Sequence, residues 1–175
     1  MKKTIVLLLL AAVTVSCASL DELLELNVNN NLTESVAFNI PQTQGTTVTY
    51  SRSETLDLTT GDLAQYVDKI TAIKINSLTY KFKDFVGNTA GMISVGTLKL
   101  DNTVVSSITN LNVSQAVNEE TVFTISDSMI LNQLESTLLN NSSATLLLSG
   151  DALSDAGAMD FKVEVTINLT ATIKE

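Results

Sequence analysis

The clearest signal in this sequence is a strict alternation near its C-terminus. Met159, Phe161, Val163, Val165, Ile167, Leu169, Ala171 and Ile173 are interleaved with Asp160, Lys162, Glu164, Thr166, Asn168, Thr170 and Thr172. A period of two predicts a strand with one face in a core and the other in water. Its length exceeds the usual ~5–6 residues, so it belongs at the centre of a sheet or bends across two. Elsewhere the same period slips. In Ile73 to Phe82 the apolar phase runs Ile73, Ile75, then Leu78, Tyr80, Phe82, so one residue is inserted near Asn76-Ser77, which predicts a β-bulge. A second slip falls at Gly96, between Ile93-Val95 and Leu98-Leu100, where glycine permits the backbone required.

Further strands are predicted at Leu24 to Val28, Ser35 to Ile40, Thr47 to Leu58, Thr103 to Ile108, Thr121 to Ile125 and Ala144 to Ser149, with turns at Asp84 to Asn88, Asp101-Asn102 and Asp155-Ala156-Gly157. Two segments switch to a helical period. Leu63, Tyr66, Val67 and Ile70 fall at i, i+3, i+4 and i+7 behind a cap pair, Thr59 and Asp62. Ile130, Leu134 and Leu138 line one face of a second helix that starts near Ser126-Asp127. The stretches Glu54 to Phe82 and Glu120 to Leu148 share the order strand, capped helix, strand, which hints at a duplicated unit. The pattern as a whole predicts an antiparallel β-sandwich of about 8 strands with two short amphipathic helices, in a single domain over residues 24–175.

The N-terminus follows a different logic. Lys2 and Lys3 precede an apolar run from Ile5 to Val15, too short to span a bilayer, and small residues follow; this is the layout of an export signal. Thr14-Val15-Ser16-Cys17 resembles a bacterial lipobox of the looser, Bacteroidota type, departing from the commonest form in having Thr14 where Leu is usual. The resemblance implies a signal peptide over 1–16, cleavage before Cys17, and diacylglycerol and a palmitate-class acyl group on that residue. Strand signals begin by Leu24, which leaves only a short tether over 17–23 between lipid and domain. Cys17 is the only cysteine, whereas an exported domain would ordinarily use cysteines in disulfide pairs. The alternatives are an ordinary secretory signal that leaves Cys17 as a free thiol, and an uncleaved anchor. No aspartate directly follows Cys17, so the inner-membrane retention signal of enterobacterial lipoproteins is missing and the outer membrane is implied. Asp21 and Glu22 loosely resemble the surface-export signals of Bacteroidota lipoproteins, which leaves the periplasmic and outer faces both open.

Composition narrows the chemistry. Loss of Lys2 and Lys3 would leave eight of the ten basic residues against nineteen Asp+Glu, a formal charge of −11 that phosphate backbones would repel, so nucleic acid is not expected as a partner. Histidine is absent, which excludes Ser-His-Asp hydrolysis, Cys-His chemistry and most catalytic zinc sites. An acylated Cys17 offers no nucleophile, and neither paired carboxylates nor a Ser-Lys pair stands at a diagnostic spacing. Trp is also absent, which argues against a stacked-aromatic platform for carbohydrate.

Three constellations remain. Asp151, Asp155 and Asp160 concentrate oxygen ligands in one predicted loop and are the best calcium candidates, but they do not follow the EF-hand spacing, and exposed Asp is ordinary in hairpin loops; no metal is expected. Lys81, Lys83 and Lys99, with Lys74, could form a basic patch, although alternation puts Lys81 and Lys83 on a solvated strand face. Asp127-Ser128-Met129 resembles the O-glycosylation sequon of exported Bacteroidota proteins, with Ser128 as acceptor, while capping alone explains the same residues. These readings converge on a non-catalytic, lipid-anchored binding or structural module of the cell envelope, with an envelope protein as partner and no cofactor. The alternative is a carrier of a lipid or other hydrophobic ligand in a β half-barrel. An apolar cavity of ~300–1,000 Å³ would distinguish the second from the first.

Overall fold

A computed structural model describes residues 25–174 of the chain, and these form two four-stranded sheets packed face to face. The strands are β1 (Glu25–Ile40), β2 (Val48–Asp57), β3 (Ile70–Gly87), β4 (Met92–Leu100), β5 (Thr103–Asn112), β6 (Val122–Ile125), β7 (Ser143–Leu153) and β8 (Met159–Lys174). The first sheet has the order β1-β8-β3-β6 and the second β2-β7-β4-β5, with antiparallel pairing throughout. This order, in which each sheet alternates strands from the two halves of the chain, is the double Greek key of a jelly roll. The β-sandwich expected from alternation is therefore present, with the expected eight strands.

The strand with the longest alternation occupies a central position. β8 pairs with β1 from Glu25 opposite Lys174 to Ile40 opposite Met159, and with β3 on its other side. Its odd-numbered residues from Met159 to Ile173 are all buried, and Val163 to Ile173 are fully so. Both slips in the apolar period have structural counterparts. The β3–β8 register shifts between Ile75 and Ser77. Around Gly96, the register of β4 shifts at Ile93/Val95 against β7 and at Leu98/Lys99 against β5.

Three short helical segments join the strands. A 3₁₀ helix (Gly61–Lys69) connects β2 to β3 with Leu63 fully buried, but its start differs from the expected cap pair: Asp57 accepts from Thr59 N at 2.7 Å, and Thr60 caps without a side-chain bond. Helix α1 (Val113–Asn118), which periodicity did not reveal, follows β5. Helix α2 (Ser128–Asn141) is the predicted second helix; Asp127 accepts from Met129 N at 2.8 Å, and Leu134 and Leu138 are buried. Six of the eight aromatic side chains form one continuous row through the core. It runs Tyr50, Phe38, Phe161, Phe82, Tyr80, Phe123, with consecutive ring centroids 4.7–6.3 Å apart. Aromatic edges and offset faces add to the area these rings bury.

The jelly roll has two ends. One holds the start of β1, the end of β8, the 3₁₀ helix, the Asp101-Asn102 turn and α2. The other holds the loops 41–47, 88–91 and 154–158 together with α1.

Candidate functional site

The loop end is braced by side-chain hydrogen bonds between its loops, and Asp155 is their hub. Oδ1 of Asp155 accepts from Thr43 Oγ1 at 2.7 Å and from Gly45 N at 2.6 Å, while Gln42 Nε2 donates to its main-chain oxygen at 2.7 Å. Thr43, itself buried, accepts from Ser154 N at 2.9 Å, and Asn88 Nδ2 donates to Ser154 Oγ at 3.1 Å. The Gly45 N–H, and then the Thr43 hydroxyl, hold the Asp155 carboxyl below the usual carboxylate range. The carboxylate thus ties loop 41–47 to loop 154–158, and Ser154 joins the loop of Asn88 to them.

This arrangement separates the three aspartates singled out from sequence. Asp151 lies on the outer face of the second sheet and accepts from Thr49 Oγ1 at 2.7 Å. Asp160 lies on the outer face of the first sheet and accepts from Asn39 Nδ2. Asp151 and Asp160 are therefore on opposite outsides of a sandwich, and stacked sheets stand ~10 Å apart. No group of three side chains able to hold a metal ion occurs among the described residues. Sequence proximity placed them in one loop; the strands that flank the turn, β7 and β8, carry them into different sheets.

The predicted basic patch also resolves into separate groups. Lys81 and Lys83 of β3 both reach Glu164 on β8, the former at 3.1 Å, and Lys162 reaches Asp84 at 2.9 Å. The hydrogen bond from Lys83 holds the Glu164 carboxyl below its ordinary range, and the same bond raises the Lys83 ammonium. Lys99 belongs to β4 in the other sheet.

A feature missed in the sequence is the seam between the edge strands β1 and β2. Asn30 and Glu34 stand opposite Leu169 and Val165, and Arg52 and Glu54 opposite Leu148 and Leu146. All four therefore sit at core phase on strands whose neighbours there are fully buried. Glu34, Arg52 and Glu54 put charge at core phase along these edges, an inward-pointing charge being one of the devices that blunt sheet edges, while Asn30 Nδ2 is buried there without a partner among the described residues. Clefts of about 200 and 210 Å³ lie along it, the first lined by Asn30 and Glu34, the second by Tyr50 and Arg52. Two larger clefts are open to solvent: about 360 Å³ beside Lys81, Lys83, Val117 and Val122, and about 340 Å³ beside Ala37, Arg52, Asp160 and Lys162. The broken alternation at Asn30 and Glu34 was the available signal.

Ser128 is exposed as the first residue of α2, at the end opposite the braced loops. Cys17, the signal over 1–16 and the tether over 17–23 lie outside the described residues.

No family model matches the sequence, and no curated protein is similar to it. Among solved structures, the chain is similar to the decameric BFDV capsid protein, with 10% identity, a TM-score of 0.43, and coverage of 83% of this chain and 99% of that one. It is also similar to structures of Desmodium yellow mottle tymovirus (12% identity, TM-score 0.38, 85% of each chain) and of turnip yellow mosaic virus (11%, 0.38, 86% of this chain and 95% of that one). At these TM-scores the likeness carries no argument; the jelly-roll topology stands on the strand order itself.

Proposed function

We propose that this chain is a non-catalytic binding or structural module of a bacterial cell envelope, carried on a diacylglyceryl group at Cys17 and resident at the outer membrane. The observation that supports a binding role over a carrier role is the filled interior. Leu146, Leu148, Val163, Val165, Ile167 and Leu169 leave no exposed surface where the two sheets meet, and the aromatic row closes the space between them. A hydrophobic carrier needs an apolar chamber of ~300–1,000 Å³, and the clefts of that size lie open on the surface beside charged side chains. The acidic groups support the same reading. Asp155, Asp151, Asp160 and Glu164 are each committed to a local donor.

The anchor is tested by intact-mass spectrometry of protein extracted from membranes. The expected chain starts at Cys17 and carries diacylglycerol, and Cys17→Ser is expected to release a soluble domain with an unchanged melting temperature. A mature chain starting elsewhere, with a free thiol, overturns the reading.

A further inference from the structure

The geometry points to the end of the sandwich opposite the braced loops as a membrane-contact surface, with α2 lying against the headgroup region of a zwitterionic bilayer. This inference rests on the anchor at Cys17 proposed above. Two independent observations carry it: the reach of the tether, and the distribution of exposed apolar side chains.

Cys17 stands eight residues before Glu25, where β1 begins. Eight residues reach at most ~26–29 Å when fully extended. The sixteen residues of β1 rise through ~50 Å from one end of the sandwich to the other. A lipid at Cys17 therefore cannot bring the loop end down onto the membrane while the start of β1 points away. The end that holds the start of β1 stays near the bilayer, and the loops braced by Asp155 face outward.

Seven large apolar side chains are exposed among the described residues, and four of them lie at this end. Leu26 is the second residue of β1 and Val104 the second of β5. Met129 and Leu139 are on α2, which crosses from β6 to β7 there. Met129, at 76%, is the most exposed of the seven. A flexible, exposed thioether at the start of the helix suits shallow insertion among headgroups. Acidic side chains at the same end, Glu25, Asp57, Asp62, Asp101 and Asp127, outnumber the basic Lys69 and Lys174, which disfavours an anionic surface.

The placement also conflicts with glycosylation at Ser128, which adjoins Met129. A glycan there would hold the helix off the membrane, so glycosylation of Ser128 and membrane contact by α2 exclude each other.

The test uses the full lipidated chain in phosphatidylcholine vesicles that contain brominated lipid. One variant, Met129→Cys, and a second at the loop end, Ala156→Cys, each carry a fluorophore on the new thiol, with acylation at Cys17 verified by mass on the same sample. Quenching is expected to be several-fold stronger at position 129 than at 156, and to weaken when phosphatidylglycerol is mixed into the vesicles. Equal quenching at the two sites, stronger quenching at 156, or a glycan on Ser128 of the native protein overturns the inference. A sample that proves unacylated fails the anchor instead, so the two failures are told apart by the mass.

Discussion

At the scale of single residues, the inner face of the second sheet is shaped by two glycines and the tyrosine laid across them. Tyr50 pairs with Gly150, and Gly150 with Gly96. A Cβ on Gly150 would stand 2.1 Å from the Val95 carbonyl oxygen, and one on Gly96 would meet the Tyr50 hydroxyl at 3.0 Å. The slip in the sequence marked Gly96 as a backbone requirement, whereas the structure adds a spatial one: the ring needs the room. The cost is a hydroxyl buried without a partner among the described residues, and burial, then the charge of Asp151, pushes its pKa up. An orphaned buried hydroxyl costs ~1–3 kcal/mol. Tyr50→Phe is therefore expected to raise stability by about 1 kcal/mol in denaturant unfolding, and a lower midpoint for the variant would show that the hydroxyl is satisfied.

Among the elements, legibility followed burial on both sides. β8 has neighbours along both edges and a filled core beneath it, so every second residue is apolar and its full length could be read. β1 is as long, yet its sequence reads as two fragments, Leu24 to Val28 and Ser35 to Ile40. The structure runs straight through, because Asn30 and Glu34 break the apolar phase where the seam opens to water. Helix α1 was missed because six residues make too few turns to show a period, although Asn112 and Gln115 form its cap and were the readable clue. The phase of β8 is directly testable. Ile167→Asp is expected to cost well over ~3 kcal/mol by placing a charge in the core, while Thr166→Asp, on the outer face beside Thr33, is tolerated within about 1 kcal/mol. Equal melting temperatures for the two variants would refute the half-buried strand. Helix α2 has its own test. β6 ends after four residues, and beyond it Glu135 reaches across to accept from Ile75 N at 2.7 Å, standing in for a missing strand partner. Glu135→Ala should lose ~1–3 kcal/mol, and Ile75 N–H should exchange faster with solvent than in the parent.

For the whole molecule, the network around Asp155 and the Lys81-Glu164-Lys83 group make stability depend on acid. Both carboxyls are held below their unfolded values, so their contribution is present above the ordinary carboxylate range of ~4 and is lost as pH falls through the lower, folded values. Asp155→Asn keeps an oxygen for Thr43 and Gly45 but cannot titrate. Its melting temperature is expected to fall below that of the parent at pH 7 and to approach it near pH 3; a constant difference across that range would show that Asp155 does not carry the effect. Little of this site was legible. The sequence brought Asp151, Asp155 and Asp160 together by number, and only the alternation of sheets in the jelly roll reveals that the turn between them separates their side chains. The similar order of strand, helix and strand in Glu54 to Phe82 and Glu120 to Leu148 has a geometric counterpart as well. β2 pairs with β7 and β3 with β6, so both crossovers lie at one end. The central place of β8 also bears on the order of assembly. The last strand of the domain must insert between β1 and β3, bonding to the first strand across almost the full described length. Such distant pairing closes long loops before it is rewarded, which places folding in the slow, millisecond-to-second class. Until β8 arrives, β1 and β3 each offer an unsatisfied edge, and the chain is most open to edge-to-edge association in that interval.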